Sequence, residues 1–277
     1  MFVIMPESFV KSLKTVPAII FIFLILFFIS GCAGLSEETN RGFKSNTIPR
    51  MKDYAAQNQP VNPGIKPDYL KLARDLVKRG FYDVALVQLE EARKKDPKNV
   101  ETYYLMGVCK RENREYHEAA EDFHEAIRLN PEYAPAYEGL GLTCDLMGER
   151  EKAWTNYKKA ISLNPARADF YNNLGFSEIL GGRFKEARLH LLKSVSLNPG
   201  YKRALNNLAL CDAMVGEDKK AMAILNRILS PGDACNNMGV IYQLKGDIKK
   251  AVAMYKKALK INPGMTKAKK NLGLTDE

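Results

Sequence analysis

Three histidines, five cysteines and a series of paired asparagines are the side chains here best suited to chemistry. His117-Glu118 opens a His-Glu-x-x-Glu run, which lacks the second histidine that a zinc protease helix places four residues on. His117 and His124 are seven apart (124−117) and share a helix face, either as two surface histidines or as half of a metal site. Cys109, Cys144, Cys211 and Cys235 form no Cys-x-x-Cys and no Cys/His cluster. They read as reduced, buried small hydrophobes. No glycine-rich phosphate loop follows a strand, and no serine or cysteine sits in a nucleophile turn. The expectation is a protein without catalysis, cofactor or metal. The asparagines are another matter. Asn172-Asn173, Asn206-Asn207, Asn236-Asn237 and then Asn271 recur, the last member of each at intervals of 34, 30 and 34. A side-chain amide offers both a donor and an acceptor, so it can pair with the C=O and the N–H of an extended peptide. It can equally bond locally within its own chain.

What places these residues is a repeat. Pro97, Pro131, Pro165 and Pro199 lie 34 apart, and Pro231 and Pro263 follow at intervals of 32. Set against that ruler, Leu72, Met106, Leu140, Leu174, Leu208 and Met238 form a column, each followed by glycine or alanine. Ala85, Ala119, Ala153, Ala187, Ala221 and Ala251 form another, and Leu89, Phe123, Tyr157, Leu191, Leu225 and Tyr255 a third. Within each half unit the apolar residues recur at three and four, the period of an amphipathic helix. Gly80, Gly148, Gly182, Gly216 and Gly246 separate the halves, where a helix end calls for a left-handed residue. Arg114 holds that place in the second unit. Each proline is expected to close a unit, since it cannot continue a helix.

These columns resemble the tetratricopeptide repeat, most fully at Tyr137, Leu140-Gly141, Ala153, Tyr157, Ala160 and Pro165. The resemblance implies an all-α, right-handed superhelical solenoid. Six helix-turn-helix units are expected at 66–99, 100–133, 134–167, 168–201, 202–231 and 232–265, with 266–277 as a partial capping helix. The fifth unit is four residues short (34−30), which is either a neutral loop deletion or a bend that shapes the groove. In this family the first helices line the concave surface, and positions 2, 5, 6, 9 and 12 of each unit face it. That puts Asn172, Asn173, Phe176, Asn206, Asn207, Leu210, Asn236, Asn237, Val240 and Asn271 in a peptide-binding groove, with Ile179 and Ala213 among its apolar positions. Its earlier half carries Tyr104, Arg111, Glu138 and Asp145 instead. The asparagines resemble the ladders by which some helical-repeat proteins hold extended peptides whatever their sequence.

Residues 1–31 differ in kind. Lys11 and Lys14 precede an apolar run, Val16 to Ile29, which is long enough for a secretory signal and short for a spanning helix. Ile29-Ser30-Gly31-Cys32 resembles a bacterial lipobox. The resemblance implies cleavage before Cys32 and acylation of that cysteine; an uncleaved signal anchor is the other reading. Ala33 follows, with no aspartate to suggest inner-membrane retention, so the outer-membrane inner leaflet is the expected address. Residues 32–65, with Pro49, Pro60, Pro63 and Gly64, read as a flexible tether reaching about 30 Å.

The net charge is +10, and lysines gather late, from Lys245 to Lys270. That end is either a solvated surface or a site for anionic lipid, cell-wall polymer or an acidic partner; nucleic acid is not expected in this compartment. The plan is similar to that of the Tad-type pilus assembly lipoproteins and type IV pilus pilotins. The resemblance implies a protein partner from a secretin or pilus machine. The alternative is an adaptor that docks murein enzymes.

Overall fold

The computed structural model describes residues 68–274, and the signal, Cys32 and tether of the sequence reading lie outside them. The described residues form thirteen helices and no strand. They run in pairs: α1 (Tyr69–Lys78) and α2 (Tyr82–Lys95), α3 (Val100–Glu112) and α4 (Tyr116–Leu129), α5 (Ala134–Leu146) and α6 (Arg150–Leu163). Then come α7 (Ala168–Leu180) and α8 (Phe184–Leu197), α9 (Lys202–Met214) and α10 (Asp218–Ile228), α11 (Pro231–Leu244) and α12 (Ile248–Ile261). A short α13 (Thr266–Asn271) ends the series. Each second helix packs on its own first helix and on the first helix of the next unit, so the array is a solenoid.

The columns are the packing. All six residues from Leu89 to Tyr255 in the bulky column are at most 1% exposed, and the alanine column from Ala85 to Ala251 at most 2%. The bulky ring lies on the small residue sixteen positions earlier. A Cβ on Gly141 would stand 2.8 Å from Tyr157, and one on Gly239 would stand 2.5 Å from Tyr255. Where the partner is Leu89 or Leu225 the small residue is alanine, Ala73 or Ala209.

Between the two helices of a unit the chain turns in a Schellman arrangement. In the third unit Glu149 N–H donates to Cys144 C=O at 2.8 Å and Gly148 has φ 79°. Arg114 makes the same turn at φ 69°, alone among the described non-glycine residues, and its side chain is exposed. A side chain in this region costs roughly 1–2 kcal/mol, part of which glycine gives back through its freer unfolded state. Arg114→Gly is therefore expected to stabilise the array by about 0.5–1 kcal/mol, read as a higher denaturation midpoint at unchanged slope.

Between units, Asn130, Asn198 and Asn262 stop the helix in extended geometry, and their Oδ1 atoms accept the N–H two residues on, at 2.9, 3.1 and 3.1 Å. The fifth unit corrects the expectation for Pro231. It closes nothing: it opens α11, with Ser230 as N-cap accepting from Asp233 N–H at 3.2 Å. Proline suits that place because its missing N–H would be unpaired there anyway. Three residues are lost from α10, which has 11 where the other second helices have 14, and two from a connection cut to Leu229 and Ser230. α11, at 14 residues against 13 in α3, α5, α7 and α9, takes one back, which leaves the unit four short. At the far end α13 covers the last unit, with Ala268 fully buried beside Cys235, Ala258 and Met265.

Candidate peptide-binding groove

The asparagines are bonded from unit to unit. Asn207 Nδ2 donates to Asn172 Oδ1 at 2.9 Å and Asn271 Nδ2 to Asn236 Oδ1 at 3.0 Å. Asn173 Nδ2 donates in the same way to Glu138 Oε1 at 2.7 Å. In each case position 6 of one unit caps position 5 of the unit before it, 35 residues earlier. Asn206 and Asn237 lie across the shortened unit, 31 residues apart (237−206), outside that spacing.

This seam corrects part of the expected groove. Asn172 and Asn236 are 1% and 5% exposed, buried under the next unit's amide, and Leu210, Ile179 and Ala213 are 4%, 4% and 0% exposed in the helix packing. They present nothing to a ligand. Asn173, Phe176, Asn206, Asn207, Asn237, Val240 and Asn271 are half-buried and remain on the face. An amide that spends one N–H on its neighbour keeps its other N–H and its carbonyl.

The earlier half is aromatic and charged. Tyr104 stands edge-on to Tyr133 at 5.6 Å between ring centroids. Arg167 grips Asp169 with both nitrogens, at 2.9 and 2.5 Å, and stacks on Phe170 at 4.7 Å. Arg74 holds Glu101 in the same two-pronged way at 2.6 and 2.8 Å. Burial pushes the Glu138 carboxyl up; the nearby Arg111 and Arg167 and the Asn173 amide pull it back, while Asp169 adds to the rise. Burial likewise lifts Tyr104 to about 12. Tyr133, Arg167 and Tyr201 were not singled out by the groove positions, because they sit in the connections as N-caps of α5, α7 and α9. Their common place, last in each unit, was the available signal. Asp145 belongs to the frame: its carboxylate accepts from Tyr157 Oη at 2.9 Å and Ser177 Oγ at 2.7 Å.

The other candidates fall elsewhere. His117 and His124 line one cleft of about 470 Å³ between α4 and the third unit, with Cys144 and Glu149 among its walls. No three His, Cys, Asp or Glu side chains among the described residues are grouped to hold a metal. The four cysteines of the array are free and buried, and burial pushes Cys109 and Cys211 up to about 12 and Cys144 to about 11. Thiols so protonated are poor nucleophiles.

The tetratricopeptide repeat family model matches residues 100–133 and 232–265, and two related models match 146–177 and 70–110. These are tetratricopeptide repeats. No curated protein matches the chain. Among solved structures the array is similar to PilW, a type IV pilus biogenesis factor: 19% identity, TM-score 0.62, covering 74% of this chain and 96% of that one. PilF of Pseudomonas aeruginosa has 18% identity and a TM-score of 0.59, over 75% of this chain and 96% of its own. YrrB, described as having an unusual peptide-binding site, has 24% identity and a TM-score of 0.51, over 67% and 98%. At these identities the likeness concerns the fold. Tetratricopeptide arrays as a class are scaffolds for protein–protein interaction.

Proposed function

We propose that the chain is a lipid-anchored scaffold facing the periplasm, which holds an extended segment of another protein during assembly of a pilus or secretion machine. The amide seam carries the reading. Three position-6 asparagines, Asn173, Asn207 and Asn271, are each held by a bond to the unit before, and Asn173 also accepts from Asn172. Each keeps one N–H and a carbonyl lone pair for a peptide backbone. Phe176 and Val240, half-exposed on the same face, would take side chains between them. The shared fold of PilW and PilF supports the choice of machine, and the Ile29-Ser30-Gly31-Cys32 motif supports the anchor. Acyl chains on Cys32 would hold the array at the outer membrane's inner leaflet.

Two measurements test it. Asn207→Ala with Asn237→Ala should leave a folded array and weaken capture of the partner roughly tenfold or more, at about 0.5–1.5 kcal/mol per lost bond. The cost to stability should be about 1–2 kcal/mol, because Asn172 Oδ1 loses its donor. A crosslinked pull-down from envelopes should recover secretin or pilus subunits with the native chain and not with the variant. Recovery of murein enzymes alone, or equal capture by the folded variant, would overturn the reading. Separately, Cys32→Ser should abolish incorporation of labelled palmitate.

A further inference from the structure

The outer surface of the array is not uniform in charge. Residues 100–133 hold four basic and eight acidic side chains, a net of −4, whereas 232–265 hold six lysines and two aspartates, a net of +4. The contrast is sharpest on equivalent helices. Along α12 the spacing of 249, 253, 256 and 260 makes one stripe, opposite the buried Ala251, Tyr255 and Ala258. It reads Lys249, Ala253, Lys256, Lys260, all exposed, with Lys250 and Lys257 beside it. The same stripe on α4 reads His117, Glu121, His124, Arg128. Basicity is thus a property of this end and not of the repeat.

Two further features bear on what the stripe meets. Every basic residue from 232 to the last residue is lysine. Lysine is a hydrated point charge without the planar fork that gives arginine its directed grip on a carboxylate, so the surface suits diffuse negative charge better than a defined acidic side chain. Exposed isoleucines stand at the two ends of the helix on opposite flanks of the stripe, Ile248 at 57% and Ile261 at 47%. Apolar side chains beside a lysine face match the boundary between headgroups and acyl chains. A dissolved polyanion would leave them in water.

We infer that the outer face of α12, continued by α13, docks on an anionic phospholipid membrane. Lysines near such a surface are attracted to it within a Debye length of about 8 Å at physiological salt. The inference stands whether or not Cys32 is acylated.

The test uses the full chain carrying Cys32→Ser and Ala253→Cys, labelled at residue 253 with an environment-sensitive fluorophore; the native thiols of the array are buried. Vesicles of phosphatidylglycerol with phosphatidylcholine should shift the emission, and phosphatidylcholine alone should not. High salt should remove the shift. Adding Lys249→Glu, Lys256→Glu and Lys260→Glu should raise the vesicle concentration needed at least tenfold. A probe at Glu121→Cys on α4 should not respond. An equal response to both vesicles would show that the apolar residues 16–29 drive the contact and would overturn the inference. So would a response that survives the three substitutions, or none at all. A matching shift with soluble polyglutamate would give the face to an acidic protein instead.

Discussion

Tyr157→Ala is expected to lower the stability of the array by about 3–5 kcal/mol, measured by chemical denaturation. The ring is fully buried, seated over Gly141 in a cluster with Phe123, Leu140, Cys144, Trp154 and Leu174, so its loss opens a cavity between the third unit and its neighbours. The hydroxyl has a separate role. It donates to Asp145 Oδ2 at 2.9 Å while Ser177 Oγ donates to Oδ1 at 2.7 Å. Burial nevertheless pushes the Asp145 carboxyl up to about 6, because desolvation outweighs the two donors. A folded-state pKa above the ordinary value means that the folded array binds this proton more tightly than the unfolded chain does. This group's contribution to stability is therefore greatest below about pH 4 and declines as pH rises to about 6. Tyr157→Phe keeps the ring and removes one donor. It should cost about 1–2 kcal/mol at neutral pH, where the carboxylate is charged, and less near pH 4, where it is protonated. An equal cost at both pH values would show that the hydroxyl does not support the charge.

The same columns show how far the sequence carried. Proline, glycine and alanine spacing gave six helix pairs because those residues answer to backbone sterics, which are local and leave a mark at fixed positions. The Tyr157–Gly141 contact is of this kind: a large residue sixteen positions after a missing side chain. Pro231 was misplaced for the same reason read backwards. A proline after a helix and a proline at N1 both sit between helices, and only the serine before it tells them apart. The groove was harder to read. Period placed the asparagines on one face, but whether Asn172 faces a ligand or lies under Asn207 depends on how far one unit overlaps the next, which no single unit records. The N-cap residues Tyr133, Arg167 and Tyr201 were hidden in what reads as turn. Cys32 and residues 1–67 lie outside the described structure, so the compartment still rests on the lipobox resemblance.

Arg188→Ala is expected to destabilise the seam between the fourth and fifth units by about 2–4 kcal/mol. Arg188 Nε on α8 donates to Asp212 Oδ1 on α9 at 2.7 Å, and the Asp212 side chain is 2% exposed. Removing the cation leaves a buried carboxylate without its counter-ion, which costs several kcal/mol where both partners are buried. The figure is set lower here because Arg188 is 37% exposed, so water reaches part of the pair. The seam has little to compensate with: α10, the second helix of the unit it leads into, is three residues shorter than the others (14−11). The loss should appear first as faster hydrogen exchange in α9 and α10, ahead of global unfolding. The double change Arg188→Met with Asp212→Leu should recover most of the stability, since apolar residues in a buried pair's place carry no desolvation cost. If Arg188→Ala changes exchange in α9 no more than in α3, the ion pair does not hold the seam, and packing alone must.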